Sequence, residues 1–101
     1  MVVEVAMLEV KDGQAAAFEA AFAAAGAILT AVSGCLGYDL GRCVESPSRY
    51  ALIVRWRALE DHTQGFRGSP QHQEFRRLLG DFYASAPVVQ HFRPVRSGAP
   101  G

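Results

Sequence analysis

The feature that most constrains the fold is a predicted strand that is apolar on both faces. Residues 50–57 carry apolar side chains at most positions, in the order YALIVRWR. Successive side chains of a strand point to opposite faces, so both faces are apolar: Tyr50, Leu52, Val54 and Trp56 lie on one, Ala51 and Ile53 on the other. Residues 2–10 (VVEVAMLEV) repeat this pattern. A sheet built on these two strands needs cover on both sides.

The first half of the chain contributes a strand, a helix and a second strand. After the strand at 2–10, residues 13–32 change to a helical period, with Asp12 as the predicted N-cap. The helix is rich in alanine, and it carries Phe18 and Phe22 on its apolar face. A weaker strand is predicted at 37–45.

The second half repeats the order. A short helix is predicted at 58–66, after the strand at 50–57. Ser69 is the predicted N-cap of the next helix and Pro70 its first residue, and a last strand is predicted at 88–95. The order β-α-β-β-α-β predicts the α+β, ferredoxin-like fold, with a four-stranded antiparallel sheet and both helices on one face.

This fold leaves one apolar face of the sheet without cover. A chain of 101 residues has helices for one face only. We therefore expect a homodimer, in which the sheets of two copies pack face to face. We expect a single domain over 1–96 and a frayed tail at 97–101.

Charge and cysteine content exclude several classes of function. Ten basic residues balance ten acidic ones, so we expect neither a nucleic-acid nor a membrane partner. Cys35 and Cys43 cannot form a disulfide framework, and the chain opens with no export signal, so we expect reduced thiols and a cytoplasmic location. The spacing of the histidines matches no zinc motif, so no metal site is expected.

Several segments together resemble the antibiotic biosynthesis monooxygenase family. They are VKDGQAAAFEAAF, SGCLGYDL, RYALIVRWRALEDHTQGFRGSPQHQEF and APVVQHFRPV, and they span nearly all of 1–95. The resemblance implies the dimeric α+β barrel fold. It also implies one of several activities, since members include oxygenases that turn anthrones or quinols into quinones with O2 and no cofactor, haem-degrading enzymes, and isomerases.

The haem-degrading branch is disfavoured by three positions. Its motif has an Asn on the first strand, a Trp three residues before the helix Ser, and a His seven residues after that Ser. The aligned residues here are Ala6, Phe66 and Arg76. Without the His, the axial iron ligand is missing from its expected place.

The candidate catalytic residues follow from what a cofactor-free oxygenase must do, which is to remove a proton and stabilise an oxyanion in a dry pocket. Trp56 would bind and polarise the substrate, and His62 would act as base or donor. Arg67 would stabilise the oxyanion, or cap a helix. Arg55 and Arg57 alternate away from Trp56 and are expected to face solvent or the partner subunit, with Glu4 or Glu9 as candidate partners across the sheet.

Aromatic side chains and a histidine are candidates for substrate binding: Phe18, Phe22, Phe66, Phe75, Tyr83 and His91. Two functions stay open at this point. The first is a cofactor-independent monooxygenase acting with O2 on a small aromatic, quinol or anthrone-type substrate. The second is an isomerase-type or non-catalytic module that binds a small apolar ligand on the same fold.

Overall fold

The computed structural model describes all 101 residues and contains the predicted order of elements. The strands are β1 (Val2–Glu9), β2 (Cys35–Arg42), β3 (Arg49–Trp56) and β4 (Val88–Phe92). The helices are α1 (Ala15–Ala31), a π-helix (Asp61–Phe66), α2 (Pro70–Leu79) and a 3-10 turn (Gly80–Phe82). The α+β class and the ferredoxin-like plan are confirmed.

The sheet is antiparallel throughout, in the order β2-β3-β1-β4. Central strand β1 pairs with both β3 and β4, so that Glu4 lies opposite Val54 on one side and His91 on the other. Trp56, at the end of β3, lies opposite Val2 and Cys35. This register brings residues from both ends of the chain to one edge of the core.

Several element boundaries differ from the predictions by one or more residues. Helix α1 begins at Ala15, because Gly13 has a φ of +77°, which lies outside the helical region. The N-cap is Gln14 and not the predicted Asp12, and its side chain makes no capping hydrogen bond. Strand β2 begins earlier, at Cys35, which pairs with Trp56 across a bulge, and it also ends earlier, at Arg42. The predicted helix at 58–66 is present from residue 59, and its part Asp61–Phe66 is a π-helix. Strand β4 ends at Phe92, shortly before Pro94, which has no N–H for the ladder.

The start of α2 agrees with the prediction. Ser69 is the N-cap, its hydroxyl accepts a hydrogen bond from the backbone N–H of His72 at 3.2 Å, and Pro70 is the first helical residue.

The two faces of the sheet differ in cover. The face toward the helices is buried and forms the core with Phe18, Phe22, Phe66 and Leu79. The opposite face carries half-buried or exposed apolar side chains: Val3, Val5, Met7, Ala51, Ile53, Val88 and Phe92. The apolar character of both faces is as predicted, and the partner that would cover the open one stays a prediction. No helix is both long enough and apolar enough to span a membrane.

Candidate active site

A buried carboxylate lies at the centre of the site. Glu4 occupies a core-facing position of β1, between Val2 and Ala6, and only 6 % of it is exposed. A carboxylate removed from water is costly unless polar groups surround it. The contacts that Glu4 makes therefore define the functional part of the core.

Trp56 and His62 both approach the same oxygen of Glu4. The indole Nε1 of Trp56 donates a hydrogen bond to Oε1 at 3.0 Å, and Nε2 of His62 lies 3.4 Å from that atom. The two rings stack, with centroids 5.1 Å apart and an interplanar angle of 18°. The carboxylate thus lies against two N–H groups on rings that hold each other in place.

A second histidine extends this contact toward the surface. Nδ1 of His62 and Nε2 of His91 are 2.7 Å apart. Because Nε2 of His62 faces Glu4, we assign its proton to Nε2, so that Nδ1 accepts from the N–H of His91. Glu4, His62 and the half-buried His91 then form a continuous line of polar atoms.

Burial controls the protonation of this line. It raises the pKa of Glu4 above its usual value of 4.5, an effect that the Trp56 hydrogen bond and the positive charge of Arg67 partly offset. Burial also lowers the pKa of His62 to about 3, with further lowering by the charges of Arg67, His91 and His72. His62 is therefore neutral near pH 7, and its contact with Glu4 is not an ion pair.

The local sequence explains the position of His62. In the π-helix, the backbone N–H of Arg67 donates to the carbonyl of His62 at 3.0 Å, five residues back. This wider turn buries both His62 and Phe66. Asp61 secures the start of the helix by accepting from the backbone N–H of Ala58 at 3.1 Å. Asp61 lies so close to Gly34, which has a φ of +88°, that a side chain there would clash with it.

A cavity of about 300 Å³ opens beside Glu4, between the sheet and α2. Its apolar floor comes from β1, β3 and β4, and its opposite wall carries Arg67, His72, Phe75, Arg76 and Tyr83. Burial raises the pKa of Tyr83 to about 12, so this phenol is a neutral hydrogen-bond donor near pH 7. The cavity therefore combines one buried carboxylate with two guanidinium groups and a phenol.

The structure divides the predicted site residues into three groups. Arg67, Phe75 and Tyr83 line the cavity. Trp56, His62, Phe66 and His91 pack together behind Glu4, with the ring of Phe66 5.9 Å from that of Trp56. Phe18 and Phe22 lie elsewhere in the core and line no part of this cavity.

A larger and more open cavity of about 780 Å³ lies near β2 and α1. Phe22 and Tyr50 line it, together with Glu19 and Arg42. The hydroxyl of Tyr50 donates to Glu19 at 2.5 Å, and Arg42 lies 3.8 Å from the same carboxylate. Glu19, Arg42 and Tyr50 thus contact one another, and Asp39, which also lines this cavity, pairs with Arg55.

The expected pairing of Arg55 and Arg57 with Glu4 or Glu9 is wrong. Arg55 pairs with Asp39 at 2.8 Å and Arg57 with Asp61 at 3.0 Å. Glu9 pairs instead with Arg49 at 2.5 Å. Cross-strand neighbours and an i,i+4 contact offer these arginines closer partners than the buried Glu4 does.

Glu4 was missed as a site residue, although the sequence contains a signal for it. The alternation of β1 places Glu4 on the same face as Val2, Ala6 and Leu8. A carboxylate at a core-facing position of a central strand marks a candidate functional site. No three His, Cys, Asp or Glu side chains lie close enough together to hold a metal ion.

Comparison with known proteins places the chain in a family. The sequence model of the family "Antibiotic biosynthesis monooxygenase" matches residues 1–78. The uncharacterised protein YczJ of Bacillus subtilis (strain 168) is 45 % identical over 95 residues, which cover 94 % of this chain and all of YczJ.

Solved structures agree with this assignment. A Bordetella bronchiseptica protein named for the same family superposes with a TM-score of 0.90 at 38 % identity, over 94 % of this chain and 97 % of that one. SnoaB of Streptomyces nogalater, a cofactor-independent oxygenase solved as a point mutant, shares the fold, with a TM-score of 0.81 at 20 % identity over 95 % of this chain and 94 % of its own. This chain therefore belongs to the antibiotic biosynthesis monooxygenase family.

Proposed function

We propose that the protein is a cofactor-independent monooxygenase that oxidises a small aromatic substrate of the quinol or anthrone type with O2. The substrate would occupy the cavity of about 300 Å³ beside Glu4. The observation that carries this proposal is the buried carboxylate at the wall of a largely apolar cavity. Family membership and the fold shared with SnoaB support the reaction class.

The chemistry begins with proton removal, because O2 reacts slowly with neutral organic molecules. Loss of a proton from the CH2 group of an anthrone, which lies across the central ring from the carbonyl, gives an electron-rich enolate. The enolate passes electrons to O2 and forms a carbon–oxygen bond, and the peroxide takes up a proton to become a hydroperoxide. Loss of water from the resulting hydroperoxide leaves a quinone. One oxygen atom stays in the product and the other leaves as water, so the substrate CH2 group becomes C=O.

Glu4 is better placed than His62 to take the proton. Glu4 lines the cavity, whereas His62 lies behind it. A carboxylate whose pKa is raised by burial is a stronger base than an exposed one. Trp56 and His62 are then positioning residues that orient the carboxylate, while Arg67 and Tyr83 face the cavity as donors for the enolate oxygen.

The two histidines connect Glu4 to the surface. The contact of His62 with Glu4 at 3.4 Å and with His91 at 2.7 Å links the cavity to a half-buried ring near the surface. With Nε2 of His62 protonated, this line donates toward Glu4 and does not carry a proton away from it. The proton that Glu4 takes from the substrate goes instead to the peroxide, which returns the base to its active form after each turnover.

An isomerase-type reaction is the second candidate, and the same observation favours it. A buried base that forms an enolate can also return the proton to a different atom, with no need of O2. The two candidates differ in their consumption of O2. A non-catalytic binding module would show neither reaction.

Oxygen consumption by the purified, metal-free protein tests the proposal. We would supply a panel of anthrones and hydroquinones, and follow O2 uptake and quinone absorbance in parallel. We expect one mole of O2 per mole of quinone, with slower turnover in Trp56→Phe and His62→Ala. Uptake no faster than in buffer, with every substrate, would reject the oxygenase proposal.

We also propose that the protein is a homodimer, in which the open apolar face of the sheet packs on its copy. That face exposes Met7, Val88 and Phe92, with Val5 and Ile53 half-buried between them. Analytical ultracentrifugation tests this directly. A Val5→Glu substitution on that face should produce monomers, whereas a monomeric wild-type protein would reject the proposal.

A further inference from the structure

The arginines of this protein differ in whether a carboxylate of the chain pairs with them. Five of them pair with a carboxylate within 4.0 Å: Arg42, Arg49, Arg55, Arg57 and Arg77. Of the remaining four, Arg93 and Arg96 follow the last strand. The other two are Arg67 and Arg76, and both line the cavity beside Glu4.

The two cavity arginines therefore differ from all others between the first and the last strand. Neither guanidinium group pairs with any carboxylate of the chain, although both residues are exposed and surface arginines elsewhere have found partners. Guanidinium groups bind carboxylates and similar anions through two parallel hydrogen bonds. Here the anion that would complete such a contact is not supplied by the protein.

The charges of Arg67 and Arg76 act on a common neighbour, His72. Burial lowers the pKa of His72, and the charges of Arg76 and Arg67 lower it further. Arg76 follows His72 by four residues on α2, which places both on one face of that helix. Arg67 precedes the helix and also acts on Glu4, His62 and His91. The cavity wall opposite the sheet is thus positively charged.

We propose that the cavity selects a flat apolar molecule that carries an anionic group, with Arg67 and Arg76 binding the anion. This rests on the function proposed above only in taking this cavity as the substrate site. The exposed arginines lie toward solvent and Glu4 is buried, so the anion would lie at the mouth and the apolar ring system against the floor of Ala6, Leu8 and Leu52. Glu4, Arg67, His72, Arg76 and Tyr83 are the titratable or charged groups that line the space.

A matched pair of probes tests the inference without any turnover. 2-Naphthoate and 2-naphthamide have the same ring and nearly the same shape, but only the first is an anion. We would titrate each into the wild-type protein by calorimetry. We expect 2-naphthoate to bind about 10-fold more tightly, and its affinity to fall as sodium chloride rises from about 0.05 to 0.5 M. The affinity for 2-naphthamide should change little with salt.

Variants locate the selectivity. In the double variant Arg67→Gln/Arg76→Gln, the preference for the anion should fall to about 2-fold or less. Arg77→Gln is the matched control, because Arg77 adjoins Arg76 but pairs with Glu74 at 2.5 Å. Circular dichroism would verify that each variant is folded, and both single variants should show intermediate preferences.

Several outcomes would overturn the inference. They are equal affinity for the two probes, tighter binding of 2-naphthamide, a preference that survives in the double variant, and no binding of either probe up to about 5 mM. The oxygenase proposal is judged separately. If naphthoate is preferred but no substrate consumes O2, only the oxygenase chemistry fails. If neutral anthrones are oxidised and naphthoate is not preferred, only the anion selectivity fails.

Discussion

The two ends of β3 offer a comparison between two carboxylates. At one end, the fully buried Tyr50 donates a hydrogen bond to Glu19, and at the other end the fully buried Trp56 donates one to Glu4. Glu19 has a half-exposed side chain and lies 3.8 Å from Arg42. Glu4 is almost fully buried, and the closest polar neighbours of its Oε1 oxygen are the N–H groups of two neutral rings.

Burial of the carboxylate, and not the size of the cavity, identifies which of the two regions is the candidate active site. The cavity near Glu19 is about 780 Å³ and the one near Glu4 about 300 Å³. In the larger cavity, solvent and Arg42 satisfy the carboxylate. In the smaller one, burial raises the pKa of the carboxylate and strengthens it as a base. The smaller cavity is therefore the candidate active site.

The largest expected effect is on turnover. Glu4→Gln keeps the shape of the side chain but removes the base, so we expect the rate of quinone formation to fall about 10²- to 10⁴-fold. Glu19→Gln is the matched control and should stay within about 2-fold of wild type. The assay is O2 uptake with a substrate that the wild-type protein oxidises. Comparable losses in both variants would mean that the two carboxylates do not differ in the way we infer.

The next effect is on stability. Trp56→Phe removes an N–H donor from a buried carboxylate and leaves a small void, so we expect it to lower the free energy of unfolding by about 2–4 kcal/mol. Tyr50→Phe leaves its former partner Glu19 in contact with solvent and Arg42, and should cost about 1 kcal/mol or less. Urea unfolding followed by circular dichroism measures both. A larger loss for Tyr50→Phe would reverse the comparison.

A smaller effect concerns pH. His62 has a pKa of about 3 in the folded protein and near 6.5 when unfolded, so it stabilises the fold above pH 6.5, and this stabilisation is lost as the pH falls toward 3. Between pH 6.5 and about pH 4.5 the loss is about 2–3 kcal/mol. The variant His62→Gln should lack it, and its unfolding free energy should therefore fall less on acidification than that of wild type.

Glu4 contributes to the same measurement with the opposite sign. Its raised pKa favours the folded state at low pH, in wild type and variant alike, so the difference between the two proteins isolates His62. His72→Gln is the control and should keep most of the wild-type pH dependence, because His72 is less buried than His62. An unchanged pH dependence in His62→Gln would show that His62 is not held neutral by the core.

The parts of the fold that could be predicted are those with local causes. Alternation at 2–10 and 50–57, the helical period after Gly13, and the pair Ser69-Pro70 each act over a few residues, and the elements that they predict are present. The π-helix could not be predicted, because its wider turn depends on burying both His62 and Phe66 under Trp56. The order of the predicted elements was enough to predict the ferredoxin-like plan.

The candidate site also has one part that follows from local sequence and one part that depends on the tertiary structure. The sequence by itself determined that Glu4 and Trp56 lie on the core face of their strands, since alternation depends only on parity along the chain. Only the tertiary structure decided that Glu4, Trp56, His62 and His91 meet. Trp56 lies 52 residues from Glu4 in sequence and His62 29 residues from His91. Contacts over such distances depend on strand order and register, which the packing of the whole chain sets.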